Sequence, residues 1–344
     1  MSEPVRVGLV GCGTLSDAYA QGASGFPAFQ LVACADKAPA RARATAECYG
    51  IRAYTTIDTL FSDPDVELIL NLTPPSAHAA VVCTALDAGK HVYTEPPLAA
   101  SPTEARGVLD LARTRGLRVG VAPDTFLGRA VQTARALVDA GAIGEPRAAA
   151  GFMTTAGSEG RPDGDSPHNP WAPVLHTATH GVSVLVALLG PVRRIAGAAR
   201  QSRDTPTHVT ATLEFVAGPL ATLVMSADIP ASATPRGVEV YGSQGTLHLP
   251  EPGTFDGPVH IWTCETGMWL EAARLPGAGP QTPGLGLADM AAGLRAGRPH
   301  RADGALAFHV LEATCGMAEA ARSGRYLTLA STCERPAPLR TTLR

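Results

Sequence analysis

Up to about residue 122 the chain alternates short apolar runs, rich in β-branched residues, with alanine-rich stretches of helical composition. The runs are VRVGLV (5–10), FQLVACAD (29–36), VELILNLT (66–73), KHVYTE (90–95) and LRVGVA (117–122). The helical stretches lie near 14–24, 38–49, 76–89 and 102–115. This alternation is typical of βαβ units wound around a parallel sheet, and it predicts an α/β domain over 1–123.

Beyond residue 123 the pattern changes to consecutive strands. Helices are predicted near 129–140, before Gly190-Pro191, near 285–296 and near 303–322. The apolar runs between the second and third of these helices are 193–201, 208–216, 220–228, 237–243, 245–250 and 258–264, and a short strand is predicted at 325–330. Strands that follow one another without helices indicate an antiparallel sheet. We therefore predict that 124–344 is an α+β domain with an open, mostly antiparallel sheet.

Composition excludes several classes of protein. The 344 residues are 45% hydrophobic and 17% charged, which argues against general disorder. The 28 Lys and Arg against 31 Asp and Glu give a net charge of −3, so no nucleic-acid partner is expected. No apolar run reaches membrane-helix length, which favours a cytoplasmic protein without a membrane partner. The seven scattered cysteines form no CxxC pair and are interpreted as reduced thiols.

A glycine motif stands at the end of the first run. Gly11, Gly13 and Ser16 form GxGxxS directly before a helical stretch. In this context the first glycine makes the tight turn, the second lets the backbone approach a pyrophosphate, and the helix N-terminus faces the phosphate charge. An ordinary glycine turn is the alternative. The candidate phosphate-loop residues are Gly11, Cys12, Gly13, Thr14 and Leu15.

An acidic residue closes the second run, about twenty residues after the glycine motif, where the dinucleotide fingerprint requires one. The carboxylate of Asp36 would accept hydrogen bonds from the adenosine ribose hydroxyls, which favours NAD(H). The adjacent Lys37 could instead accommodate the 2′-phosphate of NADP(H). The expected cofactor is therefore NAD(H) or NADP(H), with NAD(H) preferred.

Two proline-containing connectors follow the third and fourth runs, at the sheet edge where ligands bind in open α/β sheets. They are NLTPPSAH (71–78) and TEPPLA (94–99). Taken singly, each is equally a proline-rich link, the first with a helix cap at Ser76. Their joint placement makes them candidate cofactor contacts through Asn71, Thr73, Pro74, His78 and Glu95.

With these residues in view, the sequence resembles the Gfo/Idh/MocA family of glucose–fructose oxidoreductases and inositol dehydrogenases over essentially its whole length. The matching pieces are the glycine loop 8–16, Asp36, 71–78, 88–99, 122–146, 185–195, 240–250 and 284–313. The resemblance implies an N-terminal Rossmann domain and NAD(P)-dependent oxidation or reduction of a sugar, polyol or related carbon. It also implies an oligomer, a homodimer or homotetramer, formed through the open sheet of the second domain.

The family's usual catalytic set is a Lys in a Glu-Lys-Pro motif, with an Asp and a His four residues apart on a helix. This sequence departs from that set at two positions. Pro96 stands where the Lys is expected, and His176 stands where the Asp is expected. His180 keeps the His position. The resemblance therefore makes His180 the candidate acid/base and His176 its partner.

The residue types support this assignment without settling it. Residues i and i+4 share one helix face, so both imidazoles can point in one direction. Two nearby imidazoles disfavour each other's protonation, which keeps one neutral and able to act as a base near pH 7. Core-facing or merely solvated histidines are the alternative. HxxxH also has metal-ligand spacing, but no third ligand is evident, and no metal is predicted.

Candidate substrate contacts are less sharply defined. Arg129 could restore the positive charge absent at Pro96, although a surface arginine is an equal alternative. The loop at 157–170 is expected near the pocket entrance, and a disordered flap is the equal alternative. The candidates are Pro96, Asp124, Arg129, Arg161, His168 and Trp171.

Three functions remain open at this point. The first is a nicotinamide-dependent oxidoreductase acting on a hydroxylated, sugar-like or specialised metabolite or its carbonyl or imine form. The second is a redox-neutral enzyme, for epimerisation, elimination or proton transfer, that retains the nicotinamide cofactor. The third is a catalytically inactive cofactor-binding homologue. Loss of the Lys favours the last two, whereas His180 and the intact glycine loop argue against a fully inactive homologue.

Overall fold

The computed structural model of the chain describes residues 3–154, 171–202, 205–226, 229, 237–276 and 279–339. The chain divides into two compact units. The first is built from the chain up to Asp124 together with residues 277–308, and the second from Thr125–Pro276 and His309–Leu339. Each unit contains one sheet and its own helices.

The strands of the described residues are β1 (Val5–Val10), β2 (Phe29–Ala35), β3 (Arg52–Tyr54), β4 (Leu68–Asn71), β5 (His91–Thr94), β6 (Val119–Val121), β7 (Pro146–Thr154), β8 (Val192–Ser202), β9 (Thr205–Phe215), β10 (Leu220–Ser226), β11 (Gly237–Gly242), β12 (Gly245–Leu249), β13 (His260–Thr263), β14 (Trp269–Glu271) and β15 (Leu327–Thr328). The helices are α1 (Thr14–Ala23), α2 (Pro39–Tyr49), α3 (Ile57–Phe61), α4 (His78–Asp87), α5 (Pro102–Arg115), α6 (Arg129–Asp139), α7 (Ala172–Leu189), α8 (Leu285–Ala296) and α9 (Gly304–Ser323). Short 3-10 turns occupy Pro75–Ala77 and Thr125–Leu127.

The first unit carries a parallel six-stranded sheet in the order β3-β2-β1-β4-β5-β6. The strand order reverses between β1 and β4, which is where doubly wound sheets bind their ligands. The central strands are buried along their length, as expected for a sheet covered on both faces. The structure thus confirms the predicted parallel α/β fold.

Local sequence explains why α5 begins where it does. The Ser101 side chain accepts the Glu104 N–H over 3.2 Å, and Glu104 Oε2 accepts the Ala100 N–H over 2.9 Å. These two bonds satisfy N–H groups that a helix start leaves without intrahelical partners. The predicted helix start is confirmed. In contrast, β3 and α3 were not predicted, because three strand residues and five helix residues leave too little periodicity to detect.

The structure differs from the predicted division at 123/124 in one respect: residues 277–308 pack with the first unit. The Val121 N–H donates to the Ala302 carbonyl over 3.0 Å, which continues the sheet beyond β6. The carboxylate of Asp124 accepts the Gly286 N–H of α8 over 2.6 Å. A Cβ on Gly286 would lie 2.3 Å from the Tyr93 hydroxyl, so α8 approaches β5 too closely for a side chain there. These are long-range contacts with no local sequence signal.

The second unit carries a nine-stranded sheet in the order β14-β13-β12-β11-β7-β10-β9-β8-β15. All its neighbouring strands are antiparallel except β7 and β10, which are parallel. This confirms the predicted open, mostly antiparallel sheet. Strand β7 was not predicted, because its run PRAAAGFMT is rich in alanine and glycine, which have weak β-propensity.

Helix α7 packs on strands of this sheet, including β7, β9 and β10. Strand β9 alternates accordingly: Ala211, Leu213 and Phe215 are buried, whereas Thr212 and Glu214 on the other face are half-buried. No helix within the described parts of the chain is long and apolar enough to cross a membrane.

Candidate dinucleotide site and histidine pair

The glycine loop lies at the β1/β4 reversal of the first sheet. Gly11 has φ +96°, and a Cβ there would lie 2.6 Å from the Leu72 carbonyl oxygen, so only glycine fits. Gly13 directly precedes α1, and nothing lies within 4 Å of where its Cβ would be. Thr14 opens α1 and Leu15 is exposed. The loop therefore leaves space in front of a helix N-terminus, as a pyrophosphate requires.

Asp36 follows β2 and is buried beside this loop. Its Oδ2 accepts the Cys12 N–H over 2.8 Å, and its Oδ1 accepts the Ala38 N–H over 2.7 Å. An ionised carboxylate has about four lone-pair sites, so the two backbone bonds leave capacity for ribose hydroxyls. The Cys12 N–H is committed to Asp36 and is not open to a phosphate, whereas the neighbouring Lys37 is exposed.

Asn71 and Thr73 shape the connector after β4. Asn71 is fully buried; its Nδ2 donates to Thr94 Oγ1 over 3.1 Å, which joins the ends of β4 and β5. Its Oδ1 accepts the Thr73 N–H over 3.2 Å and the Thr73 hydroxyl over 2.7 Å. Asn71 therefore holds the connector from inside, and the exposed Pro74 lies at its surface.

His78 was predicted to contact the cofactor, and the structure places its ring inside the protein. Its side chain is 1% exposed, and both ring nitrogens face backbone carbonyls of the protein. Nε2 lies 2.7 Å from the Thr73 oxygen, and Nδ1 lies 2.7 Å from the Pro97 oxygen. His78 is thus an internal bridge between two connectors, because burial removes its ring from a ligand's reach.

Glu95 lies at the end of β5 in a cluster of buried acids and tyrosines. The hydroxyl of Tyr19, on α1, donates to Glu95 Oε1 over 2.5 Å. Burial and the nearby charge of Asp124 raise the pKa of Glu95 to about 7. Burial raises the pKa of Asp124 to about 6, although the Gly286 N–H opposes that shift. The partnership of Tyr19 was not predicted, because a tyrosine on an amphipathic helix carries no signal beyond that of a core residue.

Asp124, a predicted substrate contact, lies inside the first unit. Asp124 is 3% exposed, and its carboxylate is bound to the N–H of Gly286, so it anchors α8. Pro96 is buried, and a proline offers neither a side-chain donor nor a backbone N–H.

The remaining substrate candidates belong to the second unit or lie outside the described residues. Arg129 opens α6 and pairs with Asp256, with 3.6 Å between Nη1 and Oδ2. The charge of Arg129 is therefore already partly met by a carboxylate. Trp171 is buried directly before α7. Arg161 and His168 fall in the segment that the structure does not describe.

The histidine pair lies on α7 of the second unit. The ring centroids of His176 and His180 are 5.5 Å apart, with an interplanar angle of 73°. His180 Nδ1 is buried, and among the described residues it meets no hydrogen-bond partner. Burial, with a smaller effect of the His176 charge, lowers the pKa of His180 to about 4. His180 is therefore a neutral imidazole at pH 7, and the residue as a whole is half-buried.

The raised pKa of Glu95 predicts a pH dependence of stability. In the unfolded chain its pKa is near 4.5, so between about pH 4.5 and 7 the folded form holds a proton that the unfolded form has lost. The contribution of Glu95 to the free energy of unfolding is therefore fully present below about pH 4.5 and is lost as the pH rises through about 7. The Glu95→Gln variant, whose amide oxygen still accepts from Tyr19, should therefore be more stable than wild type at pH 7.5 by at most about 3 kcal/mol.

The measurement is the free energy of unfolding by urea at pH 5 and pH 7.5. The matched control is Glu47→Gln, because Glu47 is exposed on α2. That variant should retain the pH dependence of wild type. An equal pH dependence in Glu95→Gln and wild type would show that Glu95 titrates normally in the fold.

Comparison with known proteins agrees with this geometry. Residues 5–122 match the GFO_IDH_MocA oxidoreductase family with its NAD-binding Rossmann fold, and residues 131–248 match the GFO/IDH/MocA C-terminal domain. The dTDP-3,4-didehydro-2,6-dideoxy-alpha-D-glucose 3-reductase of Streptomyces violaceoruber is 37% identical over 156 residues, 44% of each chain. The inositol 2-dehydrogenase of Rhizobium meliloti is 30% identical over 141 residues, 41% of this chain and 42% of that protein. The chain thus matches less than half the length of these curated relatives.

Solved structures share the whole fold. Levoglucosan dehydrogenase in complex with NADH and L-sorbose superposes with a TM-score of 0.82 at 18% identity, covering 96% of this chain and 100% of that one. An NAD binding oxidoreductase from Klebsiella pneumoniae superposes with a TM-score of 0.81 at 20% identity and the same coverage. Since both sequence profiles match in order and the fold agrees throughout, the chain belongs to the Gfo/Idh/MocA family of NAD-binding oxidoreductases.

Proposed function

We propose that the chain transfers hydride between a nicotinamide dinucleotide and a carbon of a hydroxylated, sugar-like substrate or its carbonyl or imine form, with His180 as the acid/base. When bound, the dinucleotide supplies or accepts the hydride. The observation that carries the proposal is the neutral imidazole of His180, whose Nδ1 meets no partner among the described residues. The names of the relatives, a dTDP-linked didehydro sugar reductase and an inositol dehydrogenase, support a sugar-like substrate.

The first unit would hold the dinucleotide through the glycine loop. The N-terminus of α1 would face the pyrophosphate, since Gly13 leaves the approach open. Asp36 would accept the adenosine ribose hydroxyls with its remaining lone pairs, and its negative charge disfavours a 2′-phosphate. NAD(H) is therefore the preferred cofactor, and the exposed Lys37 is the group through which NADP(H) would be accommodated.

His180 would move the proton that accompanies hydride transfer. In the oxidising direction His180 would accept the proton as a general base, and a pKa near 4 leaves it unprotonated for that role from about pH 5 upwards. In the reducing direction it would have to donate a proton, and the same pKa leaves little of the protonated ring at pH 7. His176 lowers that pKa through the repulsion of two charged rings, so its role would be to keep His180 neutral or to share the proton.

The absence of a lysine at Pro96 limits the reaction. A preorganised charged donor to a developing alkoxide is typically worth about 2.7–4 kcal/mol, roughly a hundred- to thousand-fold in rate. Simple alcohol oxidation should therefore be slow, and an already activated carbonyl or imine is the more suitable substrate. The same absence favours the alternative of a redox-neutral reaction with a retained cofactor, or of an inactive cofactor-binding homologue.

Substitution of His180 tests the acid/base role. His180→Ala should lower kcat by roughly 10²–10⁴-fold, because general acid/base catalysis typically contributes that much. The dinucleotide Kd should change less than about twofold, since the glycine loop is untouched. The assay follows NADH consumption at 340 nm with keto sugars and NAD⁺ reduction with inositols and sugar alcohols.

His176→Ala is the matched control on the same helix. An equal loss in His176→Ala indicates a working pair, and a small loss confines its role to tuning His180. Nearly full turnover in His180→Ala would contradict the proposal. Product formation without any net change in NADH would instead support the redox-neutral alternative.

We also propose that the chain assembles as a homodimer or homotetramer through the second sheet. Helices such as α7 cover one face of this sheet, which leaves half-buried side chains such as Thr212 and Glu214 on the other. Large apolar side chains on these strands are exposed as well, with Leu220 at 49% and Tyr241 at 36%. Exposed apolar groups on an uncovered sheet face favour association.

Light scattering across a wide concentration range tests the assembly. The expected mass is two or four times the 35.4 kDa of the chain. Leu220→Lys should shift the population toward the monomer, because it places charges in the shared face. A constant mass of one chain for wild type at every concentration would contradict the proposal.

A further inference from the structure

His78 begins α4 and joins two connectors that flank the glycine loop. Its ring is buried, with Nε2 2.7 Å from the Thr73 oxygen and Nδ1 2.7 Å from the Pro97 oxygen. Thr73 belongs to the connector after β4, and Pro97 to the connector after β5. The ring is therefore a cross-link between the ends of two neighbouring strands.

The chemistry of the ring makes this cross-link depend on protonation. A neutral imidazole has one N–H and one lone pair, whereas a carbonyl oxygen can only accept. In the neutral form, one of the two contacts sets a lone pair against another lone pair. Only the imidazolium donates to both oxygens, so only the charged ring makes both bonds of the cross-link.

Two opposing effects act on the charged form. Burial lowers the pKa of His78, and the two carbonyls raise it without reversing the direction. Among the described residues, no acidic or basic side chain contributes to this balance. The ring is therefore mostly neutral at pH 7 and gains its second bond when a fall in pH protonates it.

The connector held by His78 supports the glycine loop directly. A Cβ on Gly11 would lie 2.6 Å from the Leu72 oxygen and 2.9 Å from the Thr73 nitrogen. The backbone that His78 holds at Thr73 is thus the same backbone against which Gly11 turns. Loosening the bridge at Thr73 would loosen the seat of the phosphate loop.

We propose that His78 is a positioning residue of the dinucleotide site, and that its bridge between Thr73 and Pro97 tightens dinucleotide binding when the ring is protonated. The inference rests on the proposed dinucleotide site. Protonation supplies the second hydrogen bond, so dinucleotide affinity rises as pH falls. By linkage, bound dinucleotide favours the protonated ring to the same extent.

The experiment is calorimetric titration with NAD⁺, which is stable in acid, at pH 5.5 and pH 8.0. One hydrogen bond typically changes an equilibrium by about 2- to 10-fold, so wild type should bind NAD⁺ more tightly at pH 5.5 by that factor. His78→Gln can donate to one carbonyl but does not titrate. Its affinity should match that of wild type at pH 8.0 and lack the gain at pH 5.5.

His91→Gln is the matched control in the same unit. His91 begins β5, at the opposite end of the strand from Glu95, and its Nδ1 accepts the Arg118 N–H over 3.0 Å. Burial also lowers the pKa of His91, and its one side-chain hydrogen bond in the described residues goes to Arg118 and not to the connectors. This variant should keep the pH dependence of wild type. Both variants retain Glu95 and Asp124, so any pH effect of these two groups on binding is the same in all three proteins.

A gain at pH 5.5 that is equal in His78→Gln and wild type overturns the inference while leaving the dinucleotide site intact. No NAD⁺ binding at either pH overturns the proposed site and the inference with it. Should His78→Gln fail to fold, ¹⁵N NMR of the wild-type imidazoles decides instead. His78 should then titrate at a higher pH with NAD⁺ than without it, and an unchanged titration overturns the inference.

Discussion

The close approach of Gly11 to the Leu72 carbonyl is the contact on which the dinucleotide site depends. At 2.6 Å from that oxygen there is no room for a Cβ, and the positive φ of Gly11 turns the chain from β1 into α1. This turn places the start of α1 at the β1/β4 reversal of the sheet. The Asp36 carboxylate completes the arrangement, because it binds the Cys12 N–H and so fixes the loop to the end of β2. Backbone geometry, more than side-chain identity, therefore forms the phosphate seat.

Each unit contains buried titratable groups whose pKa values differ from the ordinary ones. In the first unit Pro96 carries no charged side chain, whereas burial raises the pKa of the adjacent Glu95 to about 7 and that of Asp124 to about 6. On α7, His180 is held neutral by burial and by His176. The pKa values of Glu95 and Asp124 are thus raised and that of His180 is lowered from their ordinary values. Pro96 offers no charged donor to a developing negative charge, which is why an activated carbonyl or imine is the proposed substrate.

The sequence predicts those helices and strands whose bounds are determined by local pattern. The bounds of β1, α5 and α8 were predicted to the residue or nearly so, because periodicity and capping residues are local. Strand β7 was missed because its alanines carry weak β-propensity. The packing of 277–308 on the first unit was missed because it depends on contacts such as Asp124 with Gly286, 162 residues apart. The connector that contains His78 was predicted to follow the third strand, as it does, but the burial of His78 and of Asp124 among backbone partners depends on tertiary packing and has no sequence signature.

Calorimetric titration of the wild-type protein with NADH and NADPH is the most direct test of the central claim that the glycine loop and Asp36 form a dinucleotide site. The account predicts saturable binding of both cofactors at one site per chain, tighter for NADH because the Asp36 carboxylate repels a 2′-phosphate. Lys37→Ala should weaken NADPH binding and leave NADH binding nearly unchanged. Tighter binding of NADPH than NADH that Lys37→Ala abolishes would contradict the cofactor preference, and the absence of heat with either cofactor would contradict the site itself.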